Sequence, residues 1–415
     1  MVNSIQNDNN FQKGLVLYGA NLIDGTDSQV KYNVTVIVNQ SKIIDITDKN
    51  NVVNSKDYFE NRSNVHLVNV TGKYIIPGLF DMHAHVAGVY KNSFNQTFSE
   101  EMLHMLLSQG VTTIRSPGGP TEQSTGLKEN ISLGRIKGPQ MFTAGQLLNS
   151  PNASIPFVEE KVLTEEDVRK EVNRQANLGV DFVKLYVGLT PNLVAAAIDE
   201  AHSLGIKTIG HLYTTSWTDA ANMDIDYLTH GIPVNPYLLS SDNRRIFEVN
   251  GGSYFNHFLW LNLVDLDGKE INEMMDALVE NNVYVDPTLS IYEAMIKDNP
   301  QKQQLWNKVL KITKKMYVSD VKILAGTDIP NFELIAGESL HHELELLEDA
   351  GIPESEVIKI ATRNGAESLG ILNQTGTIEK GKDADMIILS SNPIDDISNI
   401  KEIEAVISDG KVIDK

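Results

Sequence analysis

The feature that most constrains the fold is a regular alternation of short apolar runs and amphipathic stretches in the middle of the chain. Beginning near residue 75, eight apolar runs are each followed by helical patterning, in which apolar residues recur at spacings of three and four. The runs are YIIPGLFDMHAH, GVTTIRSPG, GPQMFTAGQ, GVDFVKLYVG, GIKTIGHLYT, DIDYLTHGI, NVYVDPTLS and VKILAGTDIP. Eight strand–helix units predict an α/β protein with a (β/α)8 TIM barrel. A doubly wound open sheet is the alternative, although it rarely needs eight units.

Both ends of the chain have a different pattern. Residues 14–72 contain short strand-like segments such as VTVIVNQSKIIDI, punctuated by Asn, Asp, Gly and Ser, and the C-terminal segments TGTIEKGKDADMIILSS and EIEAVISDGKVIDK are similar. We therefore expect both chain ends to build one small, discontinuous β-sandwich. The predicted division is residues 1–74 and 375–415 for the composite sandwich and residues 75–374 for the barrel.

Composition excludes several classes of partner and metal ligand. The formal net charge of −20 argues against nucleic acid or an anionic membrane as a partner, because both require a basic surface. There is no cysteine, so a metal must be bound by histidine, carboxylate or a modified side chain. The N-terminal segment is polar, and no run approaches the ~18 apolar residues of a membrane span. We expect a soluble, cytoplasmic protein, unless a leader has been removed, that acts on a small molecule; a homo-oligomer is left open.

Metal-competent side chains fall at the C-terminal ends of the predicted strands, where barrel enzymes carry their catalytic residues. The two histidines of the first strand are two residues apart, so both imidazoles point to the same side. The candidates are His83, His85, Lys184, His211, His230 and Asp328. Each taken alone has a structural alternative, such as a helix N-cap for Asp328. Their common position at one rim favours a metal site.

The segments PGLFDMHAH, DFVKLY, GHLY, LTHG and AGTD carry these candidates. With the tail motifs TRNGAESLGI, GTIEKGKDADMIIL and DGKVI, they resemble the amidohydrolase superfamily of metal-dependent hydrolases, in the branch near imidazolonepropionase and the Xaa-Pro dipeptidases. The motifs extend over nearly the whole chain. The resemblance implies a centre of one or two divalent metal ions, with zinc (Zn2+) as the expected ion.

The resemblance also implies a role for each candidate. The two histidines of the first strand and Asp328 would hold the more buried ion, and His211 and His230 the more exposed one. Lys184 would react with carbon dioxide, and its carbamate would bridge the two ions, although branches with a single metal dispense with this lysine. Asp328 would also take a proton as a metal-bound hydroxide attacks a carbonyl carbon, and then deliver it to the leaving amine.

The connection between the sixth and seventh predicted strands, residues 233–268, is unusually long and is a candidate lid or specificity loop. Within it, Tyr237 is a candidate catalytic residue that could donate a hydrogen bond to a substrate carboxylate or oxyanion. Arg244 and Arg245, and Arg115 after the second strand, are candidate carboxylate anchors, with a non-binding role as an equal alternative. Among the other histidines, His257 is expected to be structural, whereas one histidine of SLHHELELL could face the site.

The sequence therefore predicts a metal-dependent amidohydrolase that cleaves an amide or peptide-like C–N bond in a dipeptide or N-acyl amino acid. A lactone or organophosphate ester hydrolase, or a cyclic amide (imidazolone-like) hydrolase, would use the same centre. A non-catalytic scaffold or binding protein with this fold is the alternative from another class. Such relatives usually lose a metal ligand, and all six candidate positions are present in this sequence.

Overall fold

The computed structural model of the protein describes residues 14–27, 29–47, 65–90, 93–150, 155, 157–296 and 300–413. The polar N-terminal segment, residues 1–13, lies outside these ranges. Within the described ranges, no helix is both long and apolar enough to cross a membrane.

The strands and helices follow the alternation of the sequence. The strands are β1 (Leu15–Leu22), β2 (Lys31–Asn39), β3 (Lys42–Thr47), β4 (His66–Asn69), β5 (Tyr74–Pro77), β6 (Leu79–Asp81), β7 (Val89–Tyr90), β8 (Ser93–Phe94), β9 (Val111–Ser116), β10 (Gln140–Thr143), β11 (Leu147–Asn149), β12 (Glu159–Lys161), β13 (Phe182–Leu185), β14 (Lys207–Gly210), β15 (Tyr227–Thr229), β16 (Tyr284–Asp286), β17 (Lys322–Ile323), β18 (Met386–Leu389), β19 (Ile403–Ser408) and β20 (Lys411–Val412). The α-helices are α1 (Gln96–Ser108), α2 (Thr121–Ser132), α3 (Glu165–Asn177), α4 (Pro191–Ser203), α5 (Trp217–Ala221), α6 (Ser241–Val249), α7 (His257–Leu263), α8 (Lys269–Glu280), α9 (Leu289–Ile296), α10 (Pro300–Val318), α11 (Glu338–Asp349), α12 (Glu354–Ile360) and α13 (Arg363–Leu369). Short 3-10 segments are Pro236–Leu238, Asn331–Glu333 and Ile397–Lys401.

Each of the eight apolar runs contains a strand of one of two parallel sheets. One sheet has the order β10-β9-β6, and the other has the order β12-β11-β13-β14-β15-β16-β17. Isolated parallel bridges join Ala84 to Ile329 and Ala144 to Phe182. The first bridge links the first run to the eighth, and the second links the third run to the fourth. Runs that are neighbours along the chain are therefore neighbours in space.

In the parallel sheets, strands form where a short run of the sequence is apolar throughout, so that both faces of the strand can be buried. Helices form where apolar residues recur along one side only. All six residues of β9 are buried, as expected for a parallel strand covered on both sides. Helix α3 begins with a capping box, in which the Thr164 hydroxyl accepts from the Asp167 backbone N–H and the Asp167 carboxylate accepts from the Thr164 backbone N–H. These local signals agree with the predicted alternation.

Strands from both ends of the chain meet in a third sheet. Within the described residues its order is β20-β19-β18-β5-β1-β2-β3, with β4 beside β1. Strand β18 pairs antiparallel with β5, with Met386 opposite Pro77 and Leu389 opposite Tyr74. Because a single residue, Gly78, separates β5 from β6, this pairing holds the C-terminal segment next to the strand that leads to His83.

Candidate metal centre

All six metal-site candidates line one cavity of about 610 Å³. The positions are His83 and His85 after β6, Lys184 in β13, His211 after β14, His230 after β15 and Asp328 after β17. In parallel strands the carboxyl ends lie at the same edge, and this shared direction places the side chains together. The strand-end positions chosen from the sequence are thus brought together in the structure.

The tightest group within the cavity consists of His83, His85 and Asp328. Nε2 of His85 lies 3.2 Å from Oδ1 of Asp328, and Nε2 of His83 lies 3.5 Å from the same oxygen. One potential ligand atom from each of the three residues lies within 4.8 Å of the others. Two ligands at ~2.0 to 2.1 Å from a tetrahedral zinc ion are roughly 3.3 Å apart, so the spacing fits a single divalent ion.

The other ring nitrogen of each histidine in this group is occupied by an acceptor. Nδ1 of His83 lies 2.6 Å from Oδ2 of Asp286, and Nδ1 of His85 lies 2.9 Å from the carbonyl oxygen of Gly118. A carbonyl oxygen only accepts, so Nδ1 of His85 donates to it, and Nε2 is the ring nitrogen that faces Asp328. A carboxylate or carbonyl behind each imidazole is the usual support of a metal-binding histidine. The chemistry of this donor set therefore fits a divalent metal ion.

Burial sets the protonation states that a metal ion requires. It lowers the pKa of His83 to about 4 and that of His230 to about 3, so both imidazoles are neutral at physiological pH. Burial by itself would raise the pKa of Asp328, but the neighbouring His83 and His85 hold it below its ordinary value. Neutral imidazole and ionised carboxylate are the forms that coordinate metals.

His211 and His230 lie directly beside this group. Their ring centroids are 4.1 Å apart, and the centroid of His230 is 4.9 Å from that of His83. Nδ1 of His230 lies 2.8 Å from the hydroxyl of Thr288. Nε2 of His211 is in hydrogen-bond contact with the hydroxyl of Tyr254. An ion bound at that nitrogen would displace the tyrosine hydroxyl.

Lys184 is buried at the base of the cavity, with Nζ 3.2 Å from the hydroxyl of Thr229. Burial lowers the pKa of its ammonium group from 10.5 to about 7, although the Asp286 carboxylate acts in the opposite direction. Because the ammonium form is disfavoured in this surrounding, much of the lysine is neutral amine near pH 7. A neutral amine is the form that can add carbon dioxide.

Arg115 does not line the cavity as the predicted carboxylate anchor. It is fully buried beneath the centre, where Nε donates to the carbonyl oxygen of Met82 at 2.7 Å and the guanidinium pairs with Asp286. Burial alone would raise the pKa of Asp286, but the charge of Arg115 and then the contact with His83 hold it below its ordinary value. Sequence reasoning missed Asp286, which the strand-end rule could have found because it is the last residue of β16 in the seventh run.

Three residues at the centre adopt a left-handed backbone conformation. The φ angles are 73° for His230, 48° for Thr288 and 68° for Asp328. Positive φ is uncommon outside glycine and is found at functional sites where the surroundings fix it. Here the backbone N–H of His230 donates to the Asp286 carbonyl at 2.8 Å, and that of Asp328 donates to the His83 carbonyl at 2.7 Å. His230 and Asp328 are thereby tied to the ends of neighbouring strands.

The structure does not place the other predicted substrate-binding residues, Tyr237, Arg244 and Arg245, in the cavity. Tyr237 is 59% exposed, and the guanidinium of Arg244 lies 4.4 Å from the centre of its ring. Nε of Arg244 donates to the carbonyl of Pro236, and Arg245 is exposed. None of these three side chains is among the described residues that line the cavity. Instead Tyr254, between α6 and α7, supplies a hydroxyl, and no strand end or periodicity marks that position in the sequence.

His257 is also nearer to the centre than the sequence predicts. It is buried in the cavity wall, with its ring centroid 5.2 Å from that of Tyr254 and 5.8 Å from that of Tyr292. The long connection that carries it folds into helices, which the sequence pattern did not indicate. The histidines of SLHHELELL, His341 and His342, are outside the described lining of the cavity.

The sequence profile of the amidohydrolase family matches residues 74–413. The chain is 22% identical to the enamidase of Eubacterium barkeri over an alignment of 380 residues. This alignment covers 87% of this chain and 86% of the enamidase. The chain is also 43% identical to the imidazolonepropionase of Thermoplasma acidophilum over a shorter alignment of 61 residues. This alignment covers 14% of this chain and 15% of that protein. Four other curated relatives are matched over 33% to 45% of their own length, so the chain spans less than half of each.

A solved structure extends this likeness to the fold. The chain is similar to a Xaa-Pro dipeptidase with methionine bound in its active site, with a TM-score of 0.75 and 22% sequence identity. The alignment covers 97% of this chain and 100% of the dipeptidase. A shared fold of this kind leaves the substrate open, because one fold serves many substrates.

Proposed function

The chain belongs to the amidohydrolase family, and on that premise we propose that it is a metal-dependent hydrolase that cleaves an amide C–N bond. The observation that carries the proposal is the group formed by His83, His85 and Asp328, whose potential ligand atoms lie within 4.8 Å of one another in a cavity at the strand ends. The neutral imidazole of His83, the ionised carboxylate of Asp328 and the oriented ring nitrogens support metal binding.

The three-residue group is the proposed ligand set of one divalent ion, and its nitrogen and oxygen donors suit zinc. A second ion would be held by His211 and His230, and Lys184, as the carbamate formed from its amine and carbon dioxide, would supply an anionic oxygen ligand. Its burial and its pKa of about 7 support this modification. A divalent cation at such a site lowers the pKa of bound water and polarises a carbonyl oxygen.

Asp328 is the proposed general base and general acid. Its Oδ1 faces the two histidines and accepts from the Asn331 amide at 2.9 Å, while Oδ2 is the proposed proton acceptor. Oδ2 takes the proton from the attacking water, and the same proton passes to the leaving nitrogen as the C–N bond breaks. Burial raises the pKa of Tyr254, so its hydroxyl stays protonated and is the proposed donor to the developing oxyanion.

We propose further that the two parallel sheets form one closed (β/α)8 barrel over residues 75–374. The two isolated bridges support closure, because they join the edges of one sheet to the other. Residues 1–74 and 375–415 are the proposed composite β-sandwich, which is supported by the pairing of β18 with β5. In a barrel of this kind the cavity lies at the catalytic end.

The proposal is tested by metal content and amide hydrolysis in matched variants. Inductively coupled plasma mass spectrometry of wild-type protein, purified without chelators, is expected to find one or two zinc-like ions per chain. Asp328→Asn is expected to lower amide turnover by at least ~100-fold. His85→Asn is expected to lose metal as well, whereas His104→Asn, on the exposed face of α1, is expected to change neither quantity. A chain that binds no metal, even with bicarbonate present, would contradict the proposal.

A further inference from the structure

Large apolar side chains form much of the cavity wall beyond the metal centre, and from them we infer that the substrate is a hydrophobic, uncharged amide without a carboxylate beside the scissile bond. The inference rests on the proposed function and narrows its substrate class. It differs from the dipeptides and N-acyl amino acids predicted from the sequence, because those substrates carry a free carboxylate.

Polar and apolar side chains both line the cavity. The lining includes the imidazoles of the metal centre and the Asp328 carboxylate, and its large apolar members are Phe98, Ile155, Phe255, Ile291, Met295 and Phe332. Four of these six side chains remain exposed to solvent, and Phe255 is 82% exposed. Large apolar side chains exposed together around a cavity mark a binding surface rather than a packed core.

The exposed apolar side chains come from separate parts of the chain. Phe98 lies on α1, Phe255 lies between α6 and α7, and Phe332 lies in the 3-10 segment after β17. Phe98 is also fixed in place by close packing, since a Cβ at Gly88 would lie 2.6 Å from its ring. Because these elements are far apart in sequence, the apolar pattern of any single helix does not account for their convergence on one cavity.

Within the part of the chain that the structure describes, the cavity lining has no arginine and no solvent-accessible lysine, the groups that ordinarily hold a substrate carboxylate. Among the described residues of its lining the sole lysine or arginine is Lys184, which is buried at the metal centre. Carboxylates are recognised by bidentate arginine or by lysine, and the three predicted arginine anchors lie elsewhere. The net charge of −20 also opposes the approach of an anion.

The polar groups that line the wall are suited to a neutral amide. Three tyrosines, Tyr186, Tyr254 and Tyr292, are among the residues that line the cavity. A phenol group has an ordinary pKa of about 10, so a tyrosine hydroxyl is neutral near pH 7 and can donate a hydrogen bond. A carbonyl oxygen accepts such a bond without bringing a charge into an apolar surrounding.

The test compares N-acetylphenethylamine with N-acetyl-L-phenylalanine, which share the acetyl amide and the phenyl ring and differ by one carboxylate. Binding to metal-depleted protein, measured by isothermal titration calorimetry, and kcat/KM of the zinc-loaded protein are both expected to favour the uncharged amide by at least ~10-fold. Equal or tighter binding of the acid overturns the inference, whatever the turnover. If the uncharged amide binds but a broad amide panel is not hydrolysed by the metal-loaded protein, the proposed function fails instead.

Matched variants distinguish the contribution of the cavity wall to substrate binding from that of other exposed apolar side chains. Phe255→Ser is expected to weaken binding of N-acetylphenethylamine about fivefold, because part of the phenyl contact is lost. Val249→Ser removes an apolar side chain that is similarly exposed, at 78%, but lies outside the cavity, and it is expected to leave binding unchanged. Met295→Arg is expected to shift the ratio of affinities toward the acid by at least ~10-fold. Identical behaviour of the two serine variants contradicts the assigned wall.

Discussion

The orientation of the proposed ligands is determined by residues that lie behind them. Asp81 is buried, and its carboxylate accepts from the backbone N–H of His83 at 3.0 Å and from the hydroxyl of Thr327 at 2.7 Å. The bond to Thr327 ties the end of β6 to the segment that follows β17. Asp286 fixes the ring of the same histidine from below. The position of each ligand therefore depends on buried polar groups of neighbouring strands.

Asp286→Asn tests this dependence at a single residue. The variant removes a carboxylate oxygen 2.6 Å from Nδ1 of His83 and the partner of Arg115, so the imidazole is held less firmly and is a weaker donor. Zinc affinity, measured by competition with a chromophoric chelator, is expected to fall about 10- to 100-fold.

The control is Asp226→Asn. Asp226 also contacts a histidine, since its Oδ2 is 2.8 Å from Nε2 of His202, but it lies away from the metal centre. It is expected to retain the zinc affinity of the wild type. Thermal unfolding of both metal-free variants distinguishes loss of affinity from loss of fold. An unchanged affinity in folded Asp286→Asn would show that this contact does not position His83.

At the scale of elements, helix α11 anchors the loop that follows β16. The buried carboxylate of Glu343 accepts from the backbone N–H of Leu289 at 2.8 Å and from that of Ser290 at 2.7 Å, at the start of α9. The residue before them, Thr288, contacts the imidazole of His230. A carboxylate at a helix N-terminus satisfies backbone donors that have no partner within the helix. Glu343 therefore supports His230 through the backbone of the loop.

Glu343→Gln is expected to lower the free energy of unfolding by about 1 to 3 kcal/mol, because one backbone N–H then faces an amide NH2 group instead of an oxygen. Urea denaturation at pH 8 provides the measurement, since burial raises the pKa of Glu343 to about 7 and the carboxylate is ionised there. Glu338→Gln, at an exposed position of the same helix, is expected to have no effect. Equal stability of the two variants would contradict the anchoring role.

The contact between α9 and α11 predicts a pH dependence of stability. Nε2 of His342 lies 2.5 Å from the Glu293 carboxylate and Nδ1 lies 3.1 Å from that of Glu345, which also pairs with Lys401. The bond to Glu293 raises the pKa of His342 from 6.5 to about 9. A raised pKa stabilises the folded state fully below pH 6.5, and this stabilisation is lost as pH rises through 9. Because the histidine is half exposed, the effect is small.

The measurement is the difference in Tm between wild type and His342→Gln, recorded from pH 6 to pH 10. The difference is expected to be largest at pH 6 and to vanish by pH 10. His104→Gln, on the exposed face of α1, provides the control and is expected to show no trend. A constant difference between the wild type and His342→Gln across the range would contradict the ion-pair origin.

The elements also show how far the sequence determines the site. The strand of each apolar run and the strand-end positions of His83 and Asp328 follow from patterns that are local to the chain. The burial of Arg115 beneath the metal centre could not be predicted from the sequence. Its partner Asp286 is 171 positions away along the chain, and only the packed fold brings the two residues together. Tyr254 and His257 lie in a connection whose path is set by tertiary contacts, so neither carries a local signal.

At the scale of the whole molecule, strand β18 joins the two ends of the chain to the parallel sheets. Its side chains alternate between two hydrophobic clusters, because successive residues of a strand point to opposite faces. Ile387 belongs to the large cluster that includes Leu79 and Val111 of the parallel strands, whereas Ile388 belongs to the cluster of the terminal sheet with Leu17 and others. Both clusters therefore share one strand, and we expect them to unfold together.

Ile387→Ala and Ile388→Ala test this coupling, because each removes a fully buried side chain from a different cluster. Each is expected to lower the free energy of unfolding by about 2 to 5 kcal/mol and to shift the same single transition, observed by calorimetry and by circular dichroism. Ile246→Ala, at an exposed site on α6, is the control and is expected to leave the transition unchanged. Two separate transitions, each moved by only one of the buried substitutions, would show that the terminal sheet and the parallel sheets are independent folding units. In that case the pairing of β18 with β5 would not transmit stability to the strand that leads to the metal centre.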